Sequence, residues 1–385
     1  MTSAPFRLVV TGGGTGGHTY PALTAVRTLE ARLAAQGRGL ETLWIGTADG
    51  LEARVAPAEG IPFTAVVTGK IRRARNPIKL ASPANVRDMA RVPIGVLQAR
   101  RAIDEFQPHV VLATGGYVAV PAGLAARMCR LPLVLHEQTV RLGLANRKLA
   151  AFAARICVSS ESTLPLLSEA ARSVAVVTGN PVRPEVLTGH ADKAVQALQL
   201  HGFDRRLPTV YVTGGAQGAQ QINELIAGAL PWLLRQANVI HQCGPANVDA
   251  LRAGAAGLPP ELAGRHHLTG FVGPELPDVL ALADVVVSRS GAGTLAELTA
   301  LGKPAVFVPL ASAAGNEQAH NARHLQDSGA AVSLEGDVTV DQVRGAMGPL
   351  LSDAHLRRAM AERARAHGRP DAADRLVDEI LSAAR

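Results

Sequence analysis

Two short stretches of this chain have the composition of backbone that meets a ligand. The first, "TGGGTGGHTYPAL" at residues 11 to 23, places glycine at five of six positions and follows it at once with His18. Without Cβ atoms a main chain can approach a ligand closely, and the N–H groups that open a helix attract anions. Five glycines exceed what a strand-to-helix turn needs, so ligand contact is the expectation. The second stretch, "SRSGAGTLAE", runs an apolar strand, "DVVVSRS", into Gly291 and Gly293 and starts a helix at Thr294. Its free N–H groups suit a diphosphate, with a helix-terminus contribution of about 0.5–2 kcal/mol. Glu297, one turn in, is placed to accept both hydroxyls of a ribose. Thr294 and Glu297 also have the spacing of a capping box, which would satisfy the helix's own orphan donors. Spacing alone leaves both readings open.

Several other chemistries are excluded. Gly12, Gly14 and Gly17 fit the dinucleotide fingerprint, but that motif also wants an acid about 20 residues on, at the end of the second strand. Here that strand, "ETLWIG", ends in Gly46, Thr47 and Ala48, and Glu41 lies before it. His320 and His324 are four apart with Glu317 nearby, yet they make no HExxH, and His266 and His267 have no ligand partners in sequence. No DxD, GxSxG or Walker A sequence occurs, which removes a metal-held nucleoside diphosphate and the hydrolase and kinase templates. Cys129, Cys157 and Cys243 form no CxxC and read as reduced, structural thiols of a cytosolic protein.

Short apolar runs alternate with amphipathic segments, the pattern of parallel α/β structure. The strand candidates are "FRLVVT", "ETLWIG", "FTAVV", "HVVLAT", "LPLVLHE", "RICVSS" and "SVAVVTG", then "PTVYVTGG", "NVIHQCG", "HHLTGFV", "ADVVVSRSG", "PAVFVPL" and "AAVSLE". Each half opens with a strand running into glycines. The divide falls near "TGNPVRPEVL", and a helical run after "HGRPDAA" is placed to return to the first domain. The expected architecture is two doubly wound Rossmann-like sheets facing across a cleft, with ligands at the carboxyl ends of the strands. The expected domains are residues 1–182 with 368–385, and residues 183–367.

At 385 residues the chain has room for two cores. A hydrophobic fraction of 47% with 18% charged residues excludes a largely disordered chain. No apolar stretch approaches the roughly 18 residues of a membrane span. The net charge of +7 is concentrated: from Lys70 to Arg101 lie nine basic residues against the single acid Asp88. Such a patch fits a polyanion. Aromatics at 3%, with none in the patch, argue against nucleic acid and for an anionic lipid surface. Arg72, Arg73, Arg75 and Lys79 are the expected membrane contacts, while Val92 to Leu97 is expected to pack inward.

The motifs "GGGTGGH", "TGGYV", "VLHEQ", "GNPVR", "GGAQGAQQIN", "RSGAGTLAE", "ALGKPAVFVPL" and "NEQAHNA", in that order, resemble the MurG family from about residue 7 to the C-terminal helix. The resemblance implies the GT-B fold and an inverting, metal-independent transfer of N-acetylglucosamine from UDP to an undecaprenyl-pyrophosphoryl-muramoyl-pentapeptide. No cofactor is implied. It places Thr15, Gly16 and Gly17 at the donor, Arg183 near it, Val272 at the uracil edge through its backbone, and Gln318 at the sugar hydroxyls. Ala292, Gly293, Thr294, Leu295, Ala296 and Glu297 resemble the diphosphate loop and ribose carboxylate. Three positions depart from the pattern: Thr139 stands for an asparagine, Ala216 for a serine, and Glu317 for one of two glutamines. Thr139 and Ala216 remain donor-contact candidates, Ala216 through its backbone N–H alone.

The implied chemistry fits the residues. Charge building on the leaving diphosphate would be met by the helix start and Arg183. The acceptor hydroxyl must lose a proton, and His18 is the one titrating group in the first glycine loop, at a helix end that disfavours an imidazolium. A purely structural part, holding the glycines, is its alternative. Glu137 in "LHEQ" is the next candidate for base or acceptor positioning. The expected location is peripheral, on the cytoplasmic face of a bacterial cell membrane. The rivals are another UDP-sugar enzyme of the same fold, a lipid glycosyltransferase or an epimerase, and a non-enzymatic protein that binds anionic lipid or nucleic acid.

Overall fold

The computed structural model describes residues 4–69, 83–311 and 316–384. All thirteen apolar runs form strands, and all pair in parallel. The chain divides into two compact units, residues 1–182 with 371–385, and residues 183–370.

The first unit is built on β1 (Phe6–Thr11), β2 (Leu40–Gly46), β3 (Phe63–Ala65), β4 (Val110–Ala113), β5 (Leu133–Glu137), β6 (Arg155–Val158) and β7 (Ala175–Val177). Their spatial order is β3-β2-β1-β4-β5-β6-β7. Successive strand residues are buried on opposite faces, as parallel sheets require. Val9, Val111 and Leu135 join one core, and Leu8, Val10 and Leu112 the other. The second core is completed from the far end of the chain. The helix Ala372–Ala383 buries Leu376, Val377 and Ile380 there. It is pinned by ion pairs Arg32–Asp378 at 2.5 Å and Arg155–Glu379 at 3.1 Å. The C-terminal helix thus returns to the first sheet, as expected.

The second unit holds β8 (Thr209–Thr213), β9 (Asn238–Gln242), β10 (His266–Thr269), β11 (Val285–Ser288), β12 (Ala305–Phe307) and β13 (Val332–Ser333), in the order β10-β9-β8-β11-β12-β13. In both sheets the order reverses beside the first strand, between β1 and β4 and between β8 and β11. The carboxyl ends at such switch points are where open α/β sheets bind ligands.

One expectation about packing fails. Helix Pro83–Phe106 turns Val96, Ala99 and Ile103 inward, but Ile94 and Leu97 are 53% and 62% exposed, with Met89 at 59%. The spacing 92, 96, 99, 103 makes the inner stripe, so Ile94 and Leu97 fall on the opposite face. Lys70, Arg72, Arg73, Arg75 and Lys79 lie outside the described residues.

Candidate active site

In the first unit the glycine loop follows β1 and runs into helix Gly16–Ala35, with Thr15 as N-cap. Four of its five glycines are in demand by the protein itself. Gly14 has φ +78°, a left-handed conformation that favours glycine, and its N–H donates to Glu52 Oε2 at 2.9 Å. A Cβ on Gly13 would overlap the same carboxylate. Glu52 is fully buried, and its other oxygen accepts from the N–H and hydroxyl of Thr47 at the end of β2, both at 3.0 Å. A protein carboxylate, then, already takes an anion-seeking N–H of this loop. Cβ atoms on Gly12 and Gly16 would press on Thr114 and Tyr20; Gly17 alone has open surroundings. Thr15 and Gly17 are exposed and Gly16 half-buried.

His18 is half-buried against the loop after β4. A Cβ on Gly115, which has φ +103°, would stand 3.2 Å from its ring, so the "TGGY" glycines let the imidazole lie on backbone. His18 Nδ1 is 3.0 Å from the carbonyl of Thr114 and 3.0 Å from Gln138 Oε1. The Thr114 hydroxyl donates back to the His18 carbonyl at 2.9 Å.

Glu137 ends β5 in a buried position. Its Oε1 accepts from the N–H and hydroxyl of Thr139 at 3.2 and 2.8 Å. Its Oε2 accepts from Gly143 N–H at 2.8 Å and Asn146 Nδ2 at 3.0 Å. Four hydrogen bonds make this carboxylate the organiser of the 139–146 loop. The Thr139 hydroxyl, also 2.8 Å from the Arg141 carbonyl, belongs to that loop.

In the second unit the helix after β11 runs Ala292–Leu301, and its N-cap is Gly291, with no side-chain cap. Thr294 and Glu297 are therefore not the ends of a capping box, because the helix begins three residues earlier than the spacing implies. The first intrahelical bond is from Leu295 N–H to the Gly291 carbonyl, so the N–H groups of Ala292, Gly293 and Thr294 lie ahead of the ladder. A Cβ on Gly291 or Gly293 would meet open space. Glu297 is paired with Arg183, whose Nε and Nη2 both stand 2.8 Å from Oε1. Burial raises the Glu297 carboxyl above the ordinary range, and the guanidinium opposes this. Two residues 114 positions apart, each expected at the donor, thus meet.

Around this helix start the strand ends are tied by Gln242. Its Oε1 accepts from Val272 N–H at 2.9 Å and the Tyr211 hydroxyl at 3.1 Å. Its Nε2 donates to Thr213 Oγ1 at 3.1 Å and the Gly215 carbonyl at 2.9 Å. Ala216 is exposed at the tip of the loop after β8. Gln318 Oε1 accepts from Leu310 N–H at 2.9 Å, and its carbonyl takes the Ser290 hydroxyl at 2.8 Å, which sets the 317–327 helix beside the β11 turn. Arg289 braces the same turn through Gln221 and the carbonyls of Val308 and Pro309. Among the described residues no cluster of three or more His, Cys, Asp or Glu could hold a metal.

Sequence reasoning missed Glu52, Gln138, His136 and Gln242. The available signal was a polar residue at or just past the end of a buried strand, or a lone acid facing the glycine loop.

Two family models match: the glycosyltransferase family 28 N-terminal domain over residues 8–158 and the corresponding C-terminal domain over 209–376. Two parallel α/β units with an anion-ready helix start in the second therefore define a glycosyltransferase. The UDP-N-acetylglucosamine–N-acetylmuramyl-(pentapeptide) pyrophosphoryl-undecaprenol N-acetylglucosamine transferase of Listeria welshimeri is 34% identical over 378 residues, 97% of this chain and 99% of that relative. Its counterpart in Halothermothrix orenii is 33% identical over 384 residues, 98% and 99%. The crystal structure of Acinetobacter baumannii MurG is 29% identical, covers 98% of this chain and 100% of its own, and superposes with a TM-score of 0.76. The chain belongs to the MurG family.

Proposed function

We propose that the chain transfers N-acetylglucosamine from UDP-N-acetylglucosamine to the muramoyl C4 hydroxyl of undecaprenyl-pyrophosphoryl-muramoyl-pentapeptide, converting lipid I to lipid II in peptidoglycan synthesis. The observation that carries the donor half is the open helix start at Gly291–Thr294 with the Glu297–Arg183 pair behind it. The diphosphate sits on the N–H groups of Ala292, Gly293 and Thr294; Leu295, whose N–H is bonded to the Gly291 carbonyl, and Ala296 complete the turn beneath it. Glu297 Oε2, outside the ion pair, takes the ribose. Val272 has given its N–H to Gln242, so its carbonyl is what it offers a uracil N–H. Ala216 contributes backbone, and Gln318 the sugar contact. Thr15, Gly16, Gly17 and Thr139 line the sugar side in the first unit.

In the reaction the acceptor oxygen attacks the anomeric carbon from the face opposite UDP, and the C–O bond to phosphate breaks. The electron pair leaves with UDP, where the helix start and Arg183 stabilise it, and the acceptor proton goes to His18. Glu137 is a positioning group, because its own loop uses both its oxygens. Release of UDP from UDP-N-acetylglucosamine, measured with and without the lipid acceptor, tests this reading. Acceptor-dependent release that survives chelation is expected. An epimerised sugar, or no nucleotide-sugar turnover at all, would replace it with one of the rivals.

A peripheral location on the cytoplasmic face of the membrane follows from the same substrate. Among the described residues no helix is long and apolar enough to cross a membrane. Helix Pro83–Phe106 exposes Met89, Ile94 and Leu97 beside Arg91, Arg100 and Arg101, a combination suited to an anionic interface. Vesicle co-sedimentation should rise with anionic lipid and fall with salt, since surface attraction is screened within roughly 8–10 Å. Changing Arg72, Arg73, Arg75 and Lys79 to Ser should abolish it and spare UDP binding. Equal sedimentation with neutral vesicles would reject this surface.

A further inference from the structure

We infer that Gln138 is a positioning residue which, with Thr114 and His136, fixes the tautomer of His18 so that Nε2 is the bare, proton-accepting nitrogen. The inference rests on the reading of His18 as base. It begins from two carbonyl oxygens that can only accept. Gln138 Nε2 lies 2.7 Å from the Thr114 carbonyl and 3.3 Å from the His136 carbonyl. Turning the amide over would set oxygen against oxygen at those distances, so the NH2 must be where it is and Oε1 must face His18. His18 Nδ1 then has two neighbours, the Thr114 carbonyl and Gln138 Oε1, and neither can donate. Nδ1 must carry the hydrogen. In the neutral ring Nε2 has none.

The other end of the network is fixed in the same way. His136 Nε2 is 3.0 Å from the Gly179 carbonyl and must donate to it, which leaves Nδ1 to accept from Gln138 Nε2 at 3.0 Å. His136 is fully buried, and burial lowers it to about 4. It stays neutral near pH 7, and its Nδ1 stays an acceptor. The chain Gly179, His136, Gln138, His18 therefore admits one arrangement of hydrogens. Glutamine does here, without a charge, what a carboxylate does when it orients a catalytic histidine: it selects the tautomer and holds the ring.

The test labels the histidine nitrogens with ¹⁵N and identifies the His18 signals by their loss in His18→Ala. In the wild-type protein with the His18 ring neutral, a single tautomer with hydrogen on Nδ1 and a bare Nε2 is expected; hydrogen on Nε2 would overturn the inference without any variant. Gln138→Met keeps the volume and removes the amide. With only the Thr114 carbonyl left to accept from Nδ1, the ring is held less firmly: some of the Nε2–H tautomer should appear and kcat should fall by about 10–100-fold, less than the 10²–10⁴ for losing a base outright, with UDP affinity unchanged. An unmixed tautomer and wild-type kcat in Gln138→Met would also overturn it. If His18→Ala keeps full turnover, the base reading falls, whatever the tautomer. If His18→Ala is inactive but Gln138→Met keeps both the wild-type tautomer and the wild-type kcat, the base reading stands and Gln138 loses its part.

Discussion

The two glycine-rich turns look alike in sequence and are built for opposite purposes. At Gly12–Gly16 the missing side chains make room for the protein: Glu52 lies under Gly13, Thr114 against Gly12, and Gly14 gives its N–H to a buried carboxylate. At Gly291–Gly293 the space where Cβ atoms would stand is empty, and the first-turn N–H groups have no cap. A carboxylate stands behind each turn. Glu52 faces neutral N–H and hydroxyl donors of its own unit, whereas Glu297 faces a guanidinium and keeps one oxygen outside the pair. A run of glycines thus says that backbone is approached closely, not by what. The first turn positions a side chain, His18; the second presents main chain.

That division is sharpest at His18. If the first turn serves chemistry, His18→Ala should lower kcat by roughly 10²–10⁴ while UDP binding, a property of the second turn, holds. Single-turnover kinetics beside UDP titration separates the two. A loss confined to acceptor KM would leave His18 a positioning role only.

The two units should also differ in acid. His136 in the first is lowered to about 4 by burial; in the second, burial lowers His241 to about 3 and His266 to about 4. The unfolded chain takes up these protons near pH 6.5 and the folded one only near 3–4. Stability contributed by the neutral rings is therefore complete above pH 6.5 and lost as pH falls toward 4. At pH 5 each such histidine costs roughly 2 kcal/mol, and burial also lowers His267 and His367 in the second unit, so the second unit should lose at least twice what the first does. Hydrogen exchange of β9 and β10 amides against those of β5, corrected for intrinsic rates, reads the difference. Equal losses would refute it.

What could be read from sequence divides on the same physical line. Strands buried on both faces leave continuous runs such as "LVVT" and "VVVS", and all thirteen were visible. The turns were visible as glycines. Glu52, Gln138 and Gln242 were not, because each acts on backbone or side chains brought in from other strands: Gly14 is 38 residues from Glu52, Thr114 24 from Gln138, Val272 30 from Gln242. No local pattern encodes those meetings. The capping-box spacing at Thr294 failed for a related reason: the helix begins at Gly291, where extended backbone ends. Ile94 and Leu97 have helical spacing, but the stripe that packs is the neighbouring one.

The carboxylates give the next test. Glu297→Ala should weaken UDP binding by about 1.5–3 kcal/mol, as loss of charge-assisted hydrogen bonds would. It should cost little stability, because burial already disfavours the ionised carboxylate and Arg183, at 39% exposure, can turn to water. Calorimetric titration with UDP and a urea melt distinguish the outcomes. Normal UDP binding with an earlier melt would make Glu297 a structural residue like Glu52.

The glycines themselves give the smallest effects and the most direct contrast. Gly13→Ala forces a methyl onto the buried Glu52 carboxylate, an overpacking that should cost about 1–3 kcal/mol of stability, with UDP affinity unchanged in the protein that remains folded. Gly293→Ala does the reverse. Its methyl enters open space at the second helical position, where alanine is the better helix former, so stability should hold or rise by up to about 1 kcal/mol. The same methyl occupies room left for a phosphate, and UDP affinity should fall about tenfold, near 1.4 kcal/mol. Urea midpoints and UDP titrations on the two variants make a two-by-two comparison. Both variants losing stability and keeping UDP would mean that the second turn, like the first, is packed by its own protein; both losing UDP would mean that the first turn, beyond lining the sugar, also holds the nucleotide.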